Sequence, residues 1–203
     1  PNRILLSNGS FAEYIKVSQS YAAAGLVKLP PDAKLEEAAM TEPLACVINA
    51  IEDCDLCLGD NVLIVGAGPM GLLNVLVAQM KGAGQIVVSE PVAYRRAIAG
   101  QLGALTVNPT EQDLAAVVQE TTEGKGFDVL IIAVASTKVT ESVLNFARPG
   151  GRIMLFGGFP SSSTLTLDPN LIHYGQVALL GSSGFTTGQF KQAADIIIRK
   201  KID

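Results

Sequence analysis

The sequence predicts an α/β fold built on a doubly wound, six-stranded parallel sheet. Short apolar runs alternate with helical stretches of about ten residues through most of the chain, the pattern of βαβ crossovers. The 203 residues are 48% hydrophobic and only 17% charged, with 20 glycines, which suits a sheet covered on both faces. A glycine-rich turn then joins the first apolar run to the helix that follows it, between Val65 and Leu72.

The elements follow in order. Residues 9–30 alternate apolar and polar side chains up to Leu29-Pro30-Pro31, as in Phe11-Ala12-Glu13-Tyr14-Ile15-Lys16-Val17, and read as short antiparallel strands. Asp32 opens a helical stretch with Glu36 and Glu37 early, where acids suit the helix dipole. A second helix runs from about Pro43 to Cys54, with Leu44, Val47, Ile48 and Ile51 turned inward. Asn61–Val65 is an apolar strand and Pro69–Lys81 a largely buried helix. Strands over Gln85–Ser89, Ala104–Val107, Asp128–Val134 and Gly151–Phe156 alternate with helices over Val92–Leu102, Glu111–Thr121 and Thr137–Phe146. Val177–Leu180 is the last strand and Gln189–Lys200 the closing helix. Connections between parallel strands are right-handed, and six strands in this rhythm fit the doubly wound arrangement.

Several classes are excluded. Net charge is −4 and no basic run exceeds Arg199-Lys200-Lys201, so the footprint of a nucleic-acid-binding surface is missing. Val62–Met80 carries no charge and nearly reaches the length of a membrane span. Gly66, Gly68, Pro69 and Gly71 interrupt it, so a strand, a turn and a buried helix account for it better. Pro1-Asn2-Arg3 has no initiator Met and no apolar signal region follows, so the sequence reads as part of something longer, in the reducing cytoplasm. Cys54 and Cys57 have CxxC spacing, but with His173 the sole histidine they read as incidental thiols at a helix end.

The chemistry sits in the turn Gly66-Ala67-Gly68-Pro69-Met70-Gly71. Gly66 permits the tight bend, Gly68 lets backbone approach a diphosphate, and Gly71 lets helix and strand pack closely. N–H groups at the helix start, that of Met70 included, then face the phosphates. Glu90 closes the next strand, 19 residues after Gly71, where a carboxylate accepts from adenosine ribose hydroxyls and repels a 2′-phosphate. NAD is therefore expected over NADP, although Arg95 and Arg96 follow closely and either could meet such a phosphate; Arg95 could instead lie over the adenine. This is a Rossmann domain for a nicotinamide dinucleotide.

Further segments carry a resemblance. Gly9-Ser10-Phe11-Ala12-Glu13-Tyr14, Glu42-Pro43-Leu44-Ala45-Cys46, the glycine turn and Asn170-Leu171-Ile172-His173-Tyr174 together resemble the zinc-dependent medium-chain alcohol dehydrogenases, on their sorbitol or polyol side. The resemblance implies a β-rich, GroES-like catalytic domain, of which residues 1–57 are a remnant with connecting helices, and a Rossmann domain over 58–203. It implies that Glu42 sits at the catalytic zinc of the full-length parent, as a direct or water-mediated ligand. It places Ala133, Val134, Phe156, Gly157 and Gly158 along the cofactor and Ser182, Ser183 and Gly184 at its nicotinamide end. The sequence thus points to a small alcohol substrate, and the family often forms dimers or tetramers.

The sequence also departs from that family. The Cys and the His-Glu pair that complete the catalytic zinc, and the four-cysteine zinc lobe, are missing from these residues. One carboxylate cannot hold a catalytic zinc, so these residues alone are expected to bind NAD weakly and to turn over no substrate. The parent oxidoreductase is expected to oxidise a polyol or sugar-derived secondary alcohol to a ketone. A zinc-free reductase of the same superfamily and a non-catalytic dinucleotide-binding module are the alternatives. His173 precedes the last strand without a sequence partner and is assigned a structural hydrogen bond.

Overall fold

A computed structural model describes residues 12–202. Before the sheet come α1 (Gln19–Gly25), α2 (Leu35–Ala38) and α3 (Thr41–Asp53). Then β1 (Val62–Val65), α4 (Pro69–Met80), β2 (Ile86–Ser89), α5 (Ala93–Gln101), β3 (Leu105–Val107), α6 (Leu114–Thr121) and β4 (Phe127–Ile132) alternate. The chain continues through α7 (Thr137–Val143), a 3₁₀ turn over Leu144–Phe146, β5 (Ala147–Leu155), α8 (Pro169–His173), β6 (Ala178–Gly181) and α9 (Thr187–Ile198). The six strands are all parallel, in the order β3-β2-β1-β4-β5-β6. That is the doubly wound order, with the topological switch point between β1 and β4.

The central strands are buried on both sides, while the edge strands β3 and β6 are more exposed. On one face Val62, Ile64, Val88, Val129, Ile131 and Met154 pack with α3, α4 and α9. On the other, Leu63, Val65, Val87, Leu130, Ile132 and Ile153 pack beneath the segments that hold Val118, Val143 and Leu144. Period-2 alternation within each strand divides these two sets. Fully burying one such side chain contributes roughly 1.5–3 kcal/mol, so the continuous β1 and β4 runs anchor the fold.

Of the strands expected within residues 9–30, none forms in the described residues 12–30. Residues 9–11 lie outside the described part, and no strand occurs between residues 12 and 61. Ser18 instead caps α1, its hydroxyl accepting from Tyr21 N–H, and Ala22-Ala23-Ala24 supply helix propensity. An alternating stretch becomes a strand only where a ladder partner pairs its backbone, and none faces it among the described residues. Asp32 likewise lies in a turn, where Ala33 N–H donates to Pro30 carbonyl, and α2 begins three residues later. Short α8 went unassigned in the sequence, although Asp168 caps it and Pro169 starts it. β5 begins earlier than expected, because a register shift between Phe127 and Val129 lets Ala147 pair too.

Ion pairs stitch the amino ends of the strands. Asp128 of β4 accepts from the Asn61 N–H at 2.8 Å, just ahead of β1, and from Arg148 Nε of β5. Burial would raise the Asp128 carboxyl, but those two hydrogen bonds and the charges of Arg148 and Arg152 outweigh it and hold it below the usual carboxylate range. A carboxyl lowered by folding adds stability above about pH 4 that is lost as pH falls through its folded value. The Asp128→Asn variant should therefore be less stable than the parent by about 1 kcal/mol at neutral pH, a figure discounted for the partly exposed arginine. The gap should narrow as pH falls below about 4. Thermal melts of both proteins between pH 7 and pH 3 check this, and a gap as large at pH 3 as at pH 7 would contradict it.

Candidate functional site

The glycine turn leaves the carboxyl end of β1 beside the switch point. Gly66 has φ +99°, and its N–H donates to the Ser89 carbonyl at 2.8 Å. A Cβ on Gly66 would stand 2.6 Å from Val134 Cγ1, and one on Gly71 only 2.0 Å from the Gly66 carbonyl oxygen. Both glycines therefore answer to packing. Gly68 differs, because a Cβ there would meet nothing within 4 Å, and its φ of −67° suits any residue. It is the N-cap of α4, with Pro69 at the first helical position. The protein leaves open space where backbone N–H groups and the helix dipole converge, the requirement of a diphosphate.

Glu90 is 3% exposed just beyond β2, and its carboxylate ties the turn to the second crossover. Oε2 accepts from Ala67 N–H at 2.8 Å and Oε1 from Val92 N–H at 2.9 Å. Each oxygen keeps a second lone pair, which is what ribose hydroxyls need. The two arginines divide. Arg96 Nη1 donates to the carbonyls of Glu90, at 2.9 Å, and Pro91, at 2.6 Å. Arg95 Nε donates to Tyr94 Oη at 3.1 Å on the exposed start of α5.

The other wall comes from the neighbouring strand ends. Ala133 N–H donates to the Val65 carbonyl at 2.9 Å, and half-buried Val134 follows it. Phe156 and Gly157 N–H groups both donate to the Ile132 carbonyl, at 3.1 and 2.8 Å. A Cβ on Gly157 would lie 2.6 Å from the Val134 carbonyl oxygen, whereas one on Gly158 would meet nothing within 4 Å. Beyond β6, Ser182 Oγ accepts from Asn49 Nδ2 of α3 at 2.7 Å. Ser183 is exposed, and Gly184 takes φ +78°. The carboxyl ends of β1, β4, β5 and β6 thus bring most of the expected cofactor residues to one edge of the sheet.

Zinc does not fit the described residues. Among them no group of three or more His, Cys, Asp or Glu side chains could hold a metal ion, and a protein zinc site needs at least three such ligands. Glu42 is exposed on the first turn of α3, with Cys46 Sγ 3.6 Å from its Oε1. Burial, the Glu42 charge and this hydrogen bond push the Cys46 thiol up to about 11. Burial, with Asp53 adding and Arg152 opposing, pushes Cys54 up to about 12. The contact the structure shows for His173 is a T-shaped one with Tyr174 at 4.6 Å, in place of the expected hydrogen bond.

Residues 69–199 match the family model described as zinc-binding dehydrogenase. The chain belongs to the zinc-binding dehydrogenases. This member of the family is 35% identical over 179 residues to an L-threonine 3-dehydrogenase from Pyrococcus horikoshii, covering 88% of the chain and 50% of the relative. It is 32% identical over 186 residues to a 2-dehydro-3-deoxy-L-galactonate 5-dehydrogenase from Pseudoalteromonas atlantica, covering 92% and 54%. An NADP-bound structure from Sinorhizobium meliloti, described as that of a zinc-binding dehydrogenase, superposes with a TM-score of 0.80 at 27% identity, covering 87% and 52%. The chain thus spans about half the length of the curated relatives it matches. Among its described residues no helix is long and apolar enough to cross a membrane.

Sequence reasoning missed Asn49 and Gln189. Gln189 Nε2 donates to Asn49 Oδ1 at 2.8 Å and to Glu52 Oε2 at 2.7 Å, which ties α9 to α3. A signal for Gln189 did exist, since Thr186 and Gln189 have capping-box spacing and form that box. Asn49 had none, because the partners that tie it to the far end of the chain, Ser182 and Gln189, stand 133 and 140 residues away.

Proposed function

We propose that the chain is the cofactor-holding part of an NAD-dependent dehydrogenase that oxidises a polyol or sugar-derived secondary alcohol. The open space at Gly68, at the switch point of a doubly wound sheet, carries this reading. The relatives support the substrate class, being named for threonine and for a deoxy sugar acid. In the proposed organisation residues 58–203 hold the cofactor, and α3 of the 1–57 segment presents Glu42 toward the reacting end.

A bound nicotinamide dinucleotide would supply the hydride acceptor. The chain's own residues bind and orient it. The N–H groups of Gly68 and Met70, which the turn's own hydrogen bonds do not use, hold the diphosphate, and the free lone pairs of Glu90 hold the adenosine ribose. Ala133, Val134, Phe156, Gly157 and Gly158 form a wall that excludes water, and Ser182, Ser183 and Gly184 close over the nicotinamide side. Zinc ligation by Glu42 is proposed for the whole protein only, with ligands supplied from outside these residues.

NAD is preferred over NADP on electrostatic grounds. The buried Glu90 carboxylate repels a 2′-phosphate, and Arg96 is engaged by two carbonyls. Arg95 is the cation left to meet such a phosphate or to cover the adenine. Calorimetric titration should find NAD+ at least about tenfold tighter than NADP+, a difference of ~1.4 kcal/mol. Equal affinities, or tighter NADP+, would overturn the assignment.

The same proposal includes a cytoplasmic setting, consistent with three free cysteines, and a homo-oligomer. β6 ends the sheet with an unpaired edge on which Leu179 is 36% exposed, and a second copy of the strand could pair there as a dimer contact.

A further inference from the structure

We propose that Asn49 is a positioning residue for the nicotinamide end of the cofactor, acting by fixing the loop after β6 and turning the Ser182 hydroxyl into a hydrogen-bond donor. This rests on the reading that Ser182, Ser183 and Gly184 face that end.

The polarity of the network is set by a backbone group. Thr186 N–H can only donate, and it lies 2.7 Å from Gln189 Oε1. The other amide atom of Gln189 is therefore its NH2, which faces two acceptors, Asn49 Oδ1 and Glu52 Oε2. Asn49 must then turn its own NH2 toward Ser182 Oγ, 2.7 Å away, and toward Asp53 Oδ2 at 3.4 Å. Ser182 accepts on that side. Its single proton is left for an acceptor on the other side, such as a carboxamide or ribose oxygen.

The loop is held at both ends by this one network. Ser182 is fixed through Asn49, and Thr186 through the capping box with Gln189. Phe185, itself partly exposed, stacks on Phe190 of α9, ring centres 5.7 Å apart, and Ser183 and Gly184 are exposed between it and Ser182. The support is rigid, since α3 buries Leu44, Ala45, Val47, Ile48, Ala50 and Ile51. Glu42, Cys46 and Asn49 fall at i, i+4 and i+7 along its remaining face, spanning about 10 Å. One helix thereby sets the distance between the Glu42 carboxylate and the nicotinamide loop.

Asn49→Asp tests the polarity with almost no change of shape. The new carboxylate still accepts from Gln189, but it also accepts from Ser182, whose proton then points away from the ligand. Calorimetric titrations with NAD+ and with ADP, which lacks the nicotinamide half, separate the two ends of the site. Asn49→Asp should weaken NAD+ about tenfold, ~1.4 kcal/mol, and change ADP by less than about twofold. In a Ser182→Ala background the same substitution should add less than about twofold, because the pair acts as a unit. The inference is overturned if NAD+ affinity is unchanged, if ADP weakens as much as NAD+, or if the two substitutions act independently. Failure of the parent chain to bind ADP and NAD+ would instead defeat the cofactor reading, and this inference with it.

Discussion

The Gly71→Ala substitution is expected to lower the melting temperature by about 6–12 °C, from a loss of at least ~3 kcal/mol. A Cβ there would lie 2.0 Å from the Gly66 carbonyl oxygen and 2.9 Å from its carbon, well inside contact distance. Neither partner can yield cheaply. Gly66 is fixed by its positive φ and by the hydrogen bond to Ser89, and α4 is anchored in the core by Leu73, Val75, Val77 and Ala78. Relief requires α4 to slide off β1, which opens voids beneath it. A melting temperature within about 2 °C of the parent would show that the helix moves more freely than this packing allows.

The Gly68→Val substitution is expected to do the opposite. Its side chain would enter open space, and φ of −67° suits valine, so stability should stay within about 1 kcal/mol. The proposed diphosphate occupies that same space. Three added carbon atoms would hold it off the N–H groups, and NAD+ affinity should fall at least ~100-fold, about 2.7 kcal/mol. A titration showing less than threefold weakening in a normally melting protein would move the cofactor site away from the turn. The pair of variants separates the two glycines, one needed by the fold and one by the ligand.

Most of the sheet was legible because each strand carries its own signal. Val62–Val65 and Phe127–Ile132 are apolar throughout, which fits strands buried on both faces, and glycine and proline mark the turns between elements. Residues 12–30 of the expected strand segment misled because alternation describes a half-buried strand only where a partner exists, and Ser18 with three alanines favours a helix without one. The glycine turn and Glu90 were legible as a spacing. That Glu90 would be 3% exposed and bound to Ala67 N–H was not, since spacing carries no side-chain direction. The Asn49–Ser182 pair exists only after six strands have been ordered, and nothing local announces a contact across 133 residues.

The anchoring of Glu90 bears on any attempt to redesign cofactor preference. Exchanging this acid for a neutral residue is the obvious route to accepting a 2′-phosphate. Here the same carboxylate holds Ala67 N–H and Val92 N–H, so removing it would loosen the turn that both cofactors need. In the proposed reading, selectivity and loop order share one side chain. A switch would therefore start from Arg95 and the exposed face of α5, with Glu90 left in place.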